Sequence, residues 1–118
     1  MIEGVEQCGH LGHSLAAGDA DGDGLADLWL GAPGRDEMCD GRCDEAMHHV
    51  WGLLGPPPTR FRVDGSDFDI VPDPMDMNGY VTYAIADWLD GGVDLDGDGR
   101  DEVLTGDGSG YAFLFSVP

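Results

Sequence analysis

The stretch Asp19-Ala20-Asp21-Gly22-Asp23-Gly24-Leu25-Ala26-Asp27 puts four carboxylates on nine residues. Asp94-Leu95-Asp96-Gly97-Asp98-Gly99-Arg100-Asp101-Glu102 repeats it in the second half of the chain. Both read D-x-D-G-D-G-x-x-[DE]. Neighbouring carboxylates repel by about 1 kcal/mol per close pair even in water, and a hard divalent cation resolves that conflict. Calcium accepts six to eight oxygens at about 2.3–2.6 Å and tolerates irregular geometry. Side chains at loop positions 1, 3 and 5 converge when the chain curls around an ion. Glycine at position 6 (Gly24, Gly99) permits the sharp turn, because it adopts positive φ without a Cβ clash. Position 7 (Leu25, Arg100) offers its backbone carbonyl, and position 9 (Asp27, Glu102) supplies a closing carboxylate. The plain alternative is a solvated acidic hairpin turn, but two copies in matching context favour the metal.

Working outward, the charge balance removes whole classes of function. Asp plus Glu number 24 against 5 Lys plus Arg, all five Arg, for a formal net charge of −19. A nucleic-acid binder needs a basic footprint to displace counterions, and anionic membrane surfaces repel such a chain. Its longest apolar runs fall far short of the ~20 residues of a membrane helix. The composition is nonetheless that of a folded protein, with 42% hydrophobic residues and three Trp among the aromatics. The 20 glycines in 118 residues imply many tight turns and short strands. Met1-Ile2-Glu3-Gly4 has neither a basic region nor an apolar run, so no secretory leader is read there.

An EF-hand does not fit. Its loop closes with a bidentate Glu at position 12, where this chain has Leu30 and Thr105. Strand-like residues (Leu28-Trp29-Leu30, Val103-Leu104-Thr105) follow each loop, and no capped amphipathic helix precedes it. The missing twelfth ligand also disfavours a dockerin-type module.

The repeat extends beyond the loops. Leu11-Gly12-His13-Ser14-Leu15-Ala16-Ala17-Gly18 precedes the first, and Gly31-Ala32-Pro33 follows it. Asn78-Gly79 and Gly106-Asp107-Gly108 hold the corresponding places around the second. These segments resemble the FG-GAP repeat of the integrin α-subunit β-propeller and of many bacterial secreted proteins, with Leu11 replacing the family's Phe. The resemblance implies an all-β fold of two propeller blades, each an antiparallel four-stranded sheet. It also implies two Ca²⁺ sites, at Asp19, Asp21, Asp23, Leu25 and Asp27, and at Asp94, Asp96, Asp98, Arg100 and Glu102.

The first repeat then spans residues 1–63, an acidic Pro-containing connection 64–78, and the second repeat 79–118. Strands are expected at His13–Ala17, Asp27–Leu30, Met47–Leu54 and Arg60–Val63, then at Tyr80–Asp87, Glu102–Thr105 and Ala112–Val117. The second blade lacks a fourth strand, which the N-terminal segment Ile2–Glu6 or another chain is expected to supply. Two blades do not close a propeller ring, and open blade faces are large apolar patches. Either the chain is a piece of a longer propeller or a compact monomer, or, as favoured here, several copies form homo-oligomers or filaments through blade-face packing or strand exchange.

Cys39-Asp40-Gly41-Arg42-Cys43 is read as a disulfide-closed turn, leaving Cys8 unpaired or linking chains. A zinc site from Cys39, Cys43, His48 and His49 is disfavoured, because adjacent residues on a strand point to opposite faces. The same divergence removes a His13–Ser14–Asp19 triad. Asp67, Asp69, Asp73 and Asp76 read as a solvated acidic connection in preference to a third metal site. Trp29, Trp51 and Trp88 read as blade packing. The function expected is non-enzymatic: a calcium-binding, extracellular or surface-exposed module with a structural, adhesive or self-assembly role and a protein or glycan ligand. The alternative is a carbohydrate-binding or hydrolytic module on the same scaffold.

Overall fold

The computed structural model describes residues 1–5, 9–33, 48–71, 86, 88–106 and 112–117. These residues form β-strands and one short 3-10 turn, Val63–Gly65. The chain is all-β, with antiparallel sheets of blade type, as the sequence implies.

The first sheet comprises β2 (Ser14–Gly18), β3 (Asp27–Ala32), β4 (His49–Leu53) and β6 (Phe68–Ile70), in that order and antiparallel throughout. Its outer strand is thus Phe68–Ile70, and not the expected Arg60–Val63. Asp69 meets Nδ1 of His49 at 2.5 Å, and Asp67 accepts the Leu54 N–H at 2.8 Å. Both acids therefore serve the sheet. Of the expected strand, Phe61–Arg62 (β5) pairs in parallel with Ile2–Glu3 (β1). The N-terminal segment accordingly lies beside β5 and does not complete the second sheet.

The second sheet is β7 (Trp88–Val93), β8 (Glu102–Gly106) and β9 (Ala112–Phe115). It repeats the order of β2, β3 and β4. Its first strand lies C-terminal to the expected Tyr80–Asp87, most of which falls outside the described residues. A bulge between Asp90 and Val93, where Gly92 has φ +79°, re-aims the strand into the acidic loop.

Alternation along the strands builds two apolar layers. Trp29 and Val50 on one face of the first sheet meet Val103 and Ala86, with Phe68, Ile70, Leu89, Phe113 and Phe115 packed around them. Trp29 and Val50 are almost wholly buried, and Trp29 stacks on Phe68 with centroids 5.9 Å apart. On the opposite face, Leu30, Ala32 and Trp51 are covered by Val63, Ile2 and Leu11. Trp29 and Trp51 are core residues, whereas Trp88 is 37% exposed.

The sheets meet most closely where β2 lies against β7. A Cβ placed on Gly18 would fall 2.5 Å from the Gly92 nitrogen, so side chains are excluded there. Above this contact the Ser14 hydroxyl donates to the Ala86 carbonyl, and Ala86 N–H donates to buried Thr105 Oγ1. Ala86 has φ +77°, a conformation unfavourable for a side-chain-bearing residue, and these two hydroxyls hold it there. The seam fixes the relative position of the two acidic loops.

Candidate metal centre

Each acidic loop joins the first and second strands of its sheet, β2 to β3 and β7 to β8. The two are built alike. Asp19 Oδ1 accepts the N–H groups of Gly22 and Asp23, and Oδ2 accepts that of Gly24, at 2.9–3.0 Å. Asp94 does the same with Gly97, Asp98 and Gly99 at 2.7–3.1 Å. The carboxylate at position 1 thus curls the chain onto itself. Asp21 and Asp96 each accept the N–H two residues on, as do Asp23 and Asp98. Glycines at positions 4 and 6 have φ of +79° and +86° in the first loop, and +80° and +87° in the second. The sequence reading used position 6 alone; glycine at position 4 carried the same signal.

In the second loop, Asp94, Asp96, Asp98 and Glu102 each bring one carboxylate oxygen within 4.8 Å of the others. In the first, Asp19, Asp21 and Asp27 do so, while Asp23 stands outside the group. Leu25 and Arg100 occupy their turns with the side chains exposed. Arg100 also donates from its guanidinium to the Val117 carbonyl at 3.1 Å.

The two closing acids differ. Asp27 is 1% exposed and both its oxygens are engaged: Oδ2 by Ala20 and Asp21 N–H, Oδ1 by Gly55 N–H. Glu102 is 2% exposed, and its Oε2 accepts the Leu95 N–H at 2.7 Å. Its Oε1 is buried, with no hydrogen-bond partner among the described residues. An unsatisfied buried acceptor costs about 1–3 kcal/mol, more when charged. A cation seated among Asp94, Asp96, Asp98 and Glu102 would satisfy it. The donor set is all oxygen, the kind that suits calcium, magnesium or manganese better than zinc.

The surroundings of two loop acids shift them in opposite directions. Partial loss of solvent raises the Asp21 carboxyl above its ordinary value; the Asp23 N–H opposes this, and the charge of Asp27 adds to it. Asp94 is lowered, chiefly by the Gly99 N–H, with those of Gly97 and Asp98 adding to the effect against desolvation.

Cys8, Cys39 and Cys43, with the expected disulfide, lie outside the described residues. His49 is buried, stacked on Trp51 with centroids 4.7 Å apart, and engaged with Asp69. That role is structural support of β4. No helix among the described residues is long and apolar enough to cross a membrane.

Face-to-face antiparallel blades, each with an acidic loop after its first strand, define a propeller-type repeat module. Residues 11–45 match the family model of the FG-GAP repeat, the family that the sequence resembles. The match takes in the whole first loop. No curated protein matches the chain.

Proposed function

We propose that this chain is a calcium-binding repeat module with a non-enzymatic, structural role. Two Ca²⁺ ions are held: one by the grouped Asp19, Asp21 and Asp27, with the Leu25 carbonyl and with Asp23 drawn in from outside that group, and one by Asp94, Asp96, Asp98, the Arg100 carbonyl and Glu102. The observations that carry this reading are a buried Glu102 whose carboxylate groups with those of three exposed aspartates, and a Glu102 Oε1 with no hydrogen-bond partner among the described residues. Because the cages exist only in the folded chain, ion binding adds directly to its stability.

The setting that suits such a module is extracellular, where free calcium reaches the 10⁻⁴–10⁻³ M range served by extracellular calcium sites. There it acts in adhesion or assembly. Trp88, Leu104 and Leu114 lie on one outward face of the second sheet, with Trp88 and Leu114 exposed. This face supports self-association, which light scattering with and without Ca²⁺ tests through the solution mass.

Calorimetric titration of the chelator-treated chain with CaCl₂ tests the central reading. Two ions per chain are expected, and one fewer after Asp96→Ala with Asp98→Ala. A titration without binding heat at millimolar calcium, matched by equilibrium dialysis showing no bound ion, would contradict it.

A further inference from the structure

We infer that Asp101 is a positioning residue that couples the two loops, so that an ion in one raises the affinity of the other. This rests on the calcium reading above, and adds to it a regulation that neither loop has alone.

Asp101 lies between the position 7 residue Arg100 and the position 9 residue Glu102. It faces Asp19, the position 1 acid of the other loop. Asp101 N–H donates to the Asp19 carbonyl at 2.8 Å, and Asp19 N–H donates to Asp101 Oδ2 at 2.8 Å. The backbone of each loop is therefore clamped to the other at a point adjoining the proposed ligands. The contact is wider than one pair. A Cβ on Gly22, at position 4 of the first loop, would lie 3.2 Å from both the Gly99 carbonyl oxygen and Arg100 Cγ of the second. A Cβ on Gly18 would lie 3.0 Å from Asp101 Oδ2.

Two effects oppose one another. The first ion lowers the negative field that attracts the second. The first ion also fixes a backbone segment that the second site shares, so the second ion has less chain to order. The formal charge of −19 keeps both loops anionic after one ion binds. The paired hydrogen bonds, by contrast, act by direct contact on backbone that both sites share. Ordering therefore wins, and the coupling is positive. Asp101 is no ligand in this account; its carboxylate is spent on the Asp19 amide.

The test is calorimetric titration with CaCl₂ in 0.15 M salt on four full-length chains. They are the unaltered chain, the chain with loop two emptied by Asp96→Ala and Asp98→Ala, Asp101→Ala, and the combination of all three changes. Emptying loop two should weaken loop one by about fivefold or more, the lower end of ordinary allosteric coupling. In the Asp101→Ala background the same change should leave loop-one affinity as it was. Equal loop-one affinity with loop two intact or emptied, in the Asp101 background, would overturn the coupling while leaving two calcium sites. If the unaltered chain binds no calcium, the underlying reading falls, and the coupling with it. Should Asp101→Ala not fold, hydrogen exchange supplies the second measurement. In a chain whose loop one is emptied by Asp21→Ala and Asp23→Ala, calcium in loop two should protect the Asp19 amide. Unchanged exchange there would equally overturn the inference.

Discussion

Gly52 lies so close to the Trp29 indole that a Cβ on it would stand 2.3 Å from Cζ3. The glycine on β4 leaves the space into which the tryptophan of β3 lies, and the indole in turn packs on Phe68 and the second sheet. The Gly52→Ala variant should therefore lose about 1–3 kcal/mol, the usual cost of overpacking a core. Urea denaturation followed by tryptophan emission measures it. Unchanged stability would mean that Trp29 has room to move.

The two closing acids should respond in opposite ways to neutralisation in the metal-free protein. Asp27→Asn replaces an acceptor that serves three N–H groups at its two oxygens, and should cost about 1–3 kcal/mol. Glu102→Gln keeps an acceptor for Leu95 and removes a buried charge beside three aspartates. It should match or exceed the parent in chelator while losing calcium stabilisation. Thermal melts of the parent and both variants, each with chelator and with calcium, give the six values needed.

Two glycines test different physical demands. Gly24 has open space around its Cβ position but a φ of +86°. Gly24→Ala should cost about 1–2 kcal/mol through backbone strain alone and weaken calcium at loop one. At Gly18 the constraint is space, since Gly92 backbone occupies it. Gly18→Ala should push β2 from β7 and raise hydrogen exchange at the Asp19 and Asp101 amides, which Gly24→Ala should leave protected.

Acid should destabilise the metal-free fold in part through Asp94. Backbone N–H groups hold its folded value below the ordinary 3.8. Its contribution is therefore complete above the unfolded value and is lost as pH falls through the lower, folded one. Asp21 is shifted upward and acts in the opposite sense, so the variant comparison isolates the effect. Asp94→Asn should flatten the fall in stability below pH 3.8 relative to the parent; parallel curves would contradict the assignment.

The loops were legible in the sequence because their chemistry is local. Asp19 and Asp94 bind amides three to five residues away, and the glycines that permit the turn sit inside the motif. β2, β3, β4, β8 and β9 were legible for a similar reason, being short apolar stretches flanked by turns. What escaped depends on distant partners. Arg60–Val63 reads as a short strand, whereas Phe68–Ile70, set between Asp67 and the acids that follow, reads as part of an acidic connection. Only the later one brings Asp69 to His49 and Phe68 to Trp29, and those contacts decide which joins β4. Ile2–Glu3 likewise shows no sequence preference for Phe61–Arg62 over the second sheet. β7 at Trp88–Val93 was not read from the sequence, because Gly91 and Gly92 are poor strand formers, needed here for close approach to β2; the expected Tyr80–Asp87 lies mostly outside the described residues. Asp101 was passed over because its partner, Asp19, lies in the other repeat.

Thermal unfolding as a function of free calcium tests the central claim most directly. A site filled at one hundred times its Kd adds about 2.7 kcal/mol, and in a domain of this size 1 kcal/mol moves Tm by about 4 °C or more. Two filled cages should raise the midpoint by at least ~10 °C over the chelator-treated chain, with the rise continuing logarithmically in calcium and lost on adding chelator. A midpoint that stays fixed from chelator to millimolar calcium would contradict the account.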